Sequence, residues 1–324
     1  MTDVWTARGP IDTSALGRVL MHEHVFVLTP DVEQNDDQWD EEARIADAVA
    51  KLTALKAAGI DTIVDPTVIG LGRYVPRIVS VANQVDINVV VATGVYTYDT
   101  VPFYFLYRGP IPGIVDLPEP MIDMFVRDIT EGIPGTGGVK AAFLKCAIDH
   151  YGMTRDVERI LRAVAKAHRR TGAPITVHTH PESRSGLEVH RVFADEGVDP
   201  TRVVLGHSGD STDAEHLSEL AGHGYLLGMD RFGIDTGGSF DERVAIVAEM
   251  VARGFTDQMV LAHDAACYID WIDPNLLGLN PNWHYLHITN DVLPALRERG
   301  VTDKQIDTML VANPRRYFEN VAAY

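Results

Sequence analysis

Eight short apolar runs recur along the chain, separated by helical patterns, and five of them end on a residue type that binds metal ions. Met21-His22-Glu23-His24 follows Arg18-Val19-Leu20, and Lys145 closes Ala141-Ala142-Phe143-Leu144. His178 and His180 close Pro174-Ile175-Thr176-Val177, His207 ends Val203-Val204-Leu205-Gly206, and Asp264 follows Met259-Val260-Leu261-Ala262-His263. The spacing predicts strands over 18–26, 62–68, 88–96, 141–148, 174–180, 202–208, 225–230 and 259–265. These runs are rich in Val, Ile and Leu without clean alternation, as in a parallel sheet covered on both faces. Between them, Ile45, Val49, Leu52 and Leu55 recur at helical spacing over 41–58. Val157, Ile160, Leu161, Val164 and Ala167 do so over 155–171. Gly59, Gly172 and Gly300 stand where helices should stop. The fold class this implies is α/β, a (β/α)8 TIM barrel, whose strand C-termini converge on one mouth.

The chain has 324 residues, 46% of them hydrophobic, which suits one large domain spanning 1–324. No repeat, low-complexity tract or linker interrupts it. A net charge of -18 argues against nucleic acid as a partner. The two cysteines, Cys146 and Cys267, form no CxxC motif, which fits a reducing cytoplasm. The N-terminal segment 1–8 lacks the basic start and apolar stretch of a signal peptide. No apolar run reaches membrane-spanning length, so no membrane association is expected.

Residues two apart on a strand share a face, so His22 and His24 are both expected to reach one ion from the barrel interior. His178-Thr179-His180 repeats the pattern, and His207 and Asp264 add further donors. Together they exceed the four ligands of one tetrahedral ion, which suggests two divalent metal ions per chain. Two cations need an anionic bridge, and the run before Cys146 offers Lys145 and no carboxylate. Proximity to positive charge favours a neutral amine, and a neutral amine can add carbon dioxide to become a carbamate. A lysine alone does not carry that reading, because strand-end lysines are commonly surface charges. The donors suit zinc, cobalt, manganese or iron.

The pattern resembles the phosphotriesterase family of the amidohydrolase superfamily, and within it the phosphotriesterase-like lactonases. The residues that carry the resemblance include His22-Glu23-His24, Leu144-Lys145-Cys146, Val177-His178-Thr179-His180 and Gly206-His207-Ser208-Gly209-Asp210. Met229-Asp230-Arg231-Phe232-Gly233, His263-Asp264, the segment 67–73 and Pro281-Asn282-Trp283-His284-Tyr285 complete it, over about residues 8–314. The resemblance implies that His22, His24 and Asp264 bind the more buried metal and that His178 and His207 bind the more exposed one. It implies that N6-carboxylated Lys145 and a hydroxide bridge the two, with His180 outside the ligand set. Glu23 should face away from the mouth, and His263 should be structural. A homodimer is also implied.

A hydroxide held between two metals attacks ester carbonyls or phosphoryl groups without a serine or cysteine nucleophile. No Gly-x-Ser-x-Gly elbow occurs in the chain. Asp264 is expected to carry the proton toward the leaving group. Tyr98 matches the tyrosine that lactonases place beside the metals, where a phenol can donate to a developing oxyanion. Arg231 matches the arginine of the lactonase branch, unless it is simply the ion-pair partner of Asp230. Two long connections, 97–120 and 266–286, are aromatic and aliphatic and are expected to wall an apolar pocket. The first carries Tyr98, Phe103, Tyr104, Phe105 and Tyr107, and the second carries Tyr268, Trp271, Leu276 and Leu277. The expected substrate is a small-molecule lactone, particularly an N-acyl-homoserine lactone, with weak phosphotriester hydrolysis. A primary organophosphate triester hydrolase is the alternative. Ala265-Ala266-Cys267 departs from the larger residues common in relatives and bears on acyl-chain preference. A non-catalytic barrel would show a lost ligand, and a single-metal deaminase-type enzyme would leave Lys145 idle.

Overall fold

The computed structural model describes residues 2–35, 39–111, 114–319 and 322–324. The first residue of the N-terminal segment and a short part of the 97–120 connection lie outside the described residues. An antiparallel hairpin, β1 (Asp3–Thr6) and β2 (Gly9–Asp12), precedes the barrel. The next strands are β3 (Val19–Leu20), β4 (His24–Val27), β5 (Thr62–Asp65), β6 (Asn88–Gly94) and β7 (Phe143–Ala147). They are followed by β8 (Ile175–His178), β9 (Val203–Gly206), β10 (Leu226–Met229), β11 (Met259–Leu261) and β12 (Ala266–Ile269). Eight of them form one parallel sheet in the order β3-β5-β6-β7-β8-β9-β10-β11. The Met21 amide donates to Leu261 O at 3.1 Å and draws the two edges together, so the sheet is a nearly closed (β/α)8 barrel.

The expected helices are present. The helix Arg155–Thr171 starts where the Thr154 hydroxyl accepts the Val157 amide and stops at Gly172, with φ 77°. Val157, Ile160, Leu161 and Val164 are buried against the barrel. Inside the barrel, Val64, Val90, Phe143, Val204, Leu226 and Val260 pack into a second cluster beneath the mouth. Alternation along β7 points Leu144 and Cys146 into the outer core, while Phe143 fills the interior. Lys145 is thereby lifted above a packed floor.

Register brings the ligand-type residues level. Gly94 lies beside Lys145, and His178 lies beside Ala147 on one side and Gly206 on the other. Gly94 has φ +152°, and a Cβ there would sit 1.8 Å from Lys145 O. Only glycine allows β6 to approach β7 at that point.

Two expectations need correction. The first run was expected as one strand over 18–26 with His22 and His24 on a shared face. It is broken instead: His22 lies in a bend after β3, and His24 opens β4. β3 pairs with β5, whereas β4 leaves the barrel and pairs with β12. The exchange of partners forces the bend. The last run breaks in the same way between β11 and β12, at His263–Ala265. The 97–120 connection was also expected to supply several aromatic pocket walls. A short helix, Phe103–Leu106, buries Phe105 in the core and leaves Phe103, Tyr104 and Tyr107 exposed at 78%, 58% and 70%.

Candidate metal centre

Four imidazoles meet at the barrel mouth, and each has one ring nitrogen already engaged on its outer side. His22 Nδ1 and His207 Nδ1 donate to the two oxygens of Asp230, at 3.0 and 2.9 Å. His24 Nδ1 donates to Thr67 Oγ1 at 2.7 Å, and the Thr67 hydroxyl passes its own hydrogen to Asp65. His178 Nε2 donates to Asp149 Oδ2. These carboxylate and hydroxyl partners set the tautomer of each ring and leave the opposite nitrogen as a bare lone pair.

The bare nitrogens point at one another or at Asp264. His178 Nδ1 and His207 Nε2 lie 2.8 Å apart. His22 Nε2 and His24 Nε2 lie 3.4 and 3.2 Å from Asp264 Oδ1. Lone pairs facing at these distances repel unless a cation sits between them. Two donors on one tetrahedral ion at ~2.0–2.1 Å lie about 3.3 Å apart, which fits the pairs to Asp264. The His22–His24–Asp264 donor atoms also lie within 4.8 Å of one another. A second cluster, His22–His207–Asp230, uses the outer nitrogens, and its geometry is that of hydrogen bonds.

The charge states suit metal binding. Burial, with Lys145 nearby, lowers His22, and burial lowers His178 to about 4 and His207 well below the usual imidazole range, so all three rings stay neutral. Burial opposes the charge on Asp264, but the Arg231 guanidinium beside it helps hold its carboxyl well below the usual range. Lys145 is 1% exposed, and its Nζ has no hydrogen-bond partner among the described residues. Burial lowers its amine to about 8, against the opposing pull of Asp264 and Asp230. A buried, unpaired amine among imidazoles and a carboxylate is costly as a cation. It fits a site that converts it to an anion between metals. Cys146 and Cys267 are both pushed up to about 12 by burial, so neither thiol is an available nucleophile.

The backbone is strained where it presents donors. Among the described non-glycine residues with positive φ are His207, at 65°, and Asp264, at 54°. Glu23 holds the second in place. It is fully buried and accepts the His263 amide, His263 Nδ1 and the Ala265 amide at 2.8, 2.6 and 3.1 Å. Asp264 N donates to His22 O at 3.0 Å. Three bonds on flanking residues thus over-determine the left-handed turn that points Asp264 at the mouth. Glu23 faces away from the mouth, and His263 is buried with Nε2 accepting the Ile288 amide.

The same mouth opens into a cavity of about 490 Å³ lined by His22, His24, Lys145, His178, His207 and Asp264. Tyr98, Arg231, Trp271, Leu276 and Leu277, named from the sequence as a substrate pocket, line this cavity too. Arg231 pairs with Asp264 at 3.2 Å and Asp210 at 2.9 Å, whereas Asp230 serves the histidines. Tyr268 is placed elsewhere: it lies under Arg44, 3.7 Å from the guanidinium, and lines a separate depression behind β12. His180 also stands apart, bonded to Ser183 at 3.0 Å.

Three participating residues, Thr67, Asp149 and Tyr96, had no assigned role from sequence, and Asp230 was read there only as an ion-pair partner for Arg231. The Tyr96 and Tyr98 hydroxyls are hydrogen-bonded, and the Tyr96 hydroxyl lies 3.3 Å from His178 Nδ1. Period-two spacing from Tyr98 was the signal for Tyr96. Position just past a strand end was the signal for Asp149 and Asp230.

The phosphotriesterase family model matches residues 2–318. The chain is 59% identical over the full length of both chains to a phosphotriesterase homology protein of Mycobacterium tuberculosis. It is 36% identical to an aryldialkylphosphatase of Saccharolobus solfataricus, covering 95% of this chain and 96% of that one. A solved structure of the phosphotriesterase from Mycobacterium tuberculosis superposes with a TM-score of 0.97 at 59% identity, covering 99% of this chain and 100% of that one. A barrel whose mouth gathers neutral imidazoles, a carboxylate and an unpaired lysine, matched in sequence and shape along nearly its whole length, belongs to the phosphotriesterase family of ester hydrolases.

Proposed function

We propose that this chain is a binuclear metal-dependent lactonase that opens N-acyl-homoserine lactones and related γ- and δ-lactones, with weak activity on phosphotriesters. The observation that carries the reading is the composition of the mouth cavity, where a polar metal-binding floor meets an apolar wall. His22, His24 and Asp264 would hold one ion and His178 and His207 the other, with carboxylated Lys145 shared. Carbamate formation joins Lys145 Nζ to the carbon of carbon dioxide and releases one proton from the nitrogen. Zinc, cobalt, manganese and iron suit this donor set. When bound, the ions supply a water acidified to near neutral pH and polarise the scissile carbonyl.

The chain's own residues do the rest. Burial raises the phenols of Tyr96 and Tyr98 above their ordinary range, so both remain donors at neutral pH. Either can donate to the oxyanion or to the departing ring oxygen. Arg231 flanks Asp264 and reaches the substrate side of the cavity. Trp271, Ile272, Leu276, Leu277 and Leu279 line the cavity with apolar surface suited to an acyl chain.

The test is proton release on an N-acyl-homoserine lactone beside an aryl dialkyl phosphotriester, with the metal-loaded enzyme. A kcat/KM at least a hundredfold higher on the lactone is expected; the reverse order contradicts the reading. The second reading, a primary triester hydrolase, draws on the name of the Saccharolobus solfataricus relative. It also has a physical basis, because a tetrahedral phosphotriester resembles the intermediate of lactone opening. Exposed Phe103, Tyr104 and Tyr107 supply an apolar surface for a homodimer. Sedimentation would show a dimer, and a monomer would reject that contact.

A further inference from the structure

One buried carboxylate beside the centre belongs to neither set of donors. Asp149 lies two residues beyond β7 and is 8% exposed. Its Oδ2 accepts His178 Nε2, while its Oδ1 accepts the His150 amide and His150 Nδ1, both at 2.6 Å. The His150 side chain is half exposed, lies tilted against Tyr151 at 4.2 Å between centroids and edge-on to Tyr98 at 5.6 Å. Asp149 therefore ties an inner imidazole to an outer one at the rim.

We propose that Asp149 is the positioning residue for one metal position alone, the one formed by His178 and His207. The proposal rests on the two-metal reading above. The division of outer partners supports it. His22 and His207 depend on Asp230, and His24 depends on Thr67; His178 is the ring that depends on Asp149. The carboxylate keeps the His178 proton on Nε2 and leaves the Nδ1 lone pair facing His207 Nε2 and the Tyr96 hydroxyl. Without it, the proton can move to Nδ1, which lies 2.8 Å from His207 Nε2. The two rings would then hydrogen-bond to each other and fill the metal position with their own contact. The same swap is closed to His22, His24 and His207, whose outer partners remain.

Asp149→Asn and Asp149→Ala test the proposal by zinc titration against a competing chelator and by elemental analysis. The wild-type chain should take up two ions. Asp149→Ala should keep one tight ion and bind the second about ten- to hundredfold more weakly. Asp149→Asn, which retains a carbonyl acceptor, should lie between them. If the alanine variant does not fold, the asparagine variant carries the test. Adding His207→Ala to Asp149→Asn should weaken the same position further and leave the tight ion in place, whereas adding His22→Ala should loosen the remaining ion. Circular dichroism of metal-stripped Asp149→Asn should show the folded barrel retained. Equal loss at both positions, or unchanged affinity at both, would overturn the proposal. A wild-type chain that binds fewer than two ions would overturn the two-metal reading and this proposal with it.

Discussion

Arg231 Nε donates to Asp264 Oδ2 at 3.2 Å, on the oxygen opposite the one that faces His22 and His24. One carboxylate is thus divided between a metal-binding edge and a cationic edge. Arg231 is itself anchored by Asp210, which Arg243 grips from the other side at 2.5 Å. A guanidinium does not give up its proton, so Arg231 holds Asp264 in place and anionic and passes no proton on.

Arg231→Gln should therefore leave metal content unchanged while lowering kcat/KM. Misplacing a reacting carboxylate by the loss of its cationic partner costs about a hundredfold in rate. A fall of that size with both metals retained is the expected result in steady-state kinetics. Loss of metal in parallel would place Arg231 in the scaffold of the site instead.

Lys145→Ala should lose metal and activity together, and short carboxylic acids should restore part of both by supplying the missing anion. The wild-type chain makes a second prediction. Carbon dioxide adds only to the neutral amine, and burial sets that amine near 8. At fixed dissolved carbon dioxide, reconstitution of the stripped protein should quicken about tenfold per pH unit below 8 and level off above it. A rate independent of pH between 6.5 and 8 would contradict a carbamate.

Buried His263 should make the fold more acid-sensitive, while Glu23, whose carboxyl burial raises well above its ordinary range, opposes that loss. Burial lowers His263 to about 3, and its Nε2 already accepts the Ile288 amide, so the folded chain has no place for a second ring proton. The unfolded histidine titrates near ~6.5. The His263 contribution is thus fully present above about 6.5 and is lost as pH falls toward 3, by at most about 1.4 kcal/mol per unit. Urea unfolding of metal-stripped His263→Gln should show a shallower decline over that range. Glu23→Ala should cost about 3 kcal/mol or more by leaving three buried donors without an acceptor. A cost below about 1 kcal/mol would show that Asp264 keeps its turn without Glu23.

Tyr98→Phe should harm lactone opening more than phosphotriester hydrolysis, because a ring oxygen leaves with a poorer leaving group and needs the donor more. Tyr96→Phe should share the effect, since the two phenols are bonded to one another. Equal losses on both substrates would reject a donor role for the pair.

The barrel was legible in the sequence because its signals are local. Apolar runs of strand length, helical spacing in segments such as 155–171, and Gly172 at a helix end each depend on nearby residues alone. The gathering of His22, His24, Lys145, His178, His207 and Asp264 was legible for a related reason, since strand ends fall at one mouth whatever the loops do. The break at His22 was not, because it comes from β4 exchanging barrel neighbours for β12, a pairing across more than 240 residues. Tyr268 was misplaced for the same reason: a strand in the last connection decides which way it faces. Asp230 and Asp149 act through hydrogen bonds to rings on other strands, and no spacing within their own segments announces that.

Metal content of the untagged protein, measured by elemental analysis with proton release on an N-acyl-homoserine lactone followed in the same preparation, tests the two-metal lactonase most directly. Two ions per chain with rapid proton release is the predicted result. Failure to take up two ions after reconstitution with bicarbonate would contradict it.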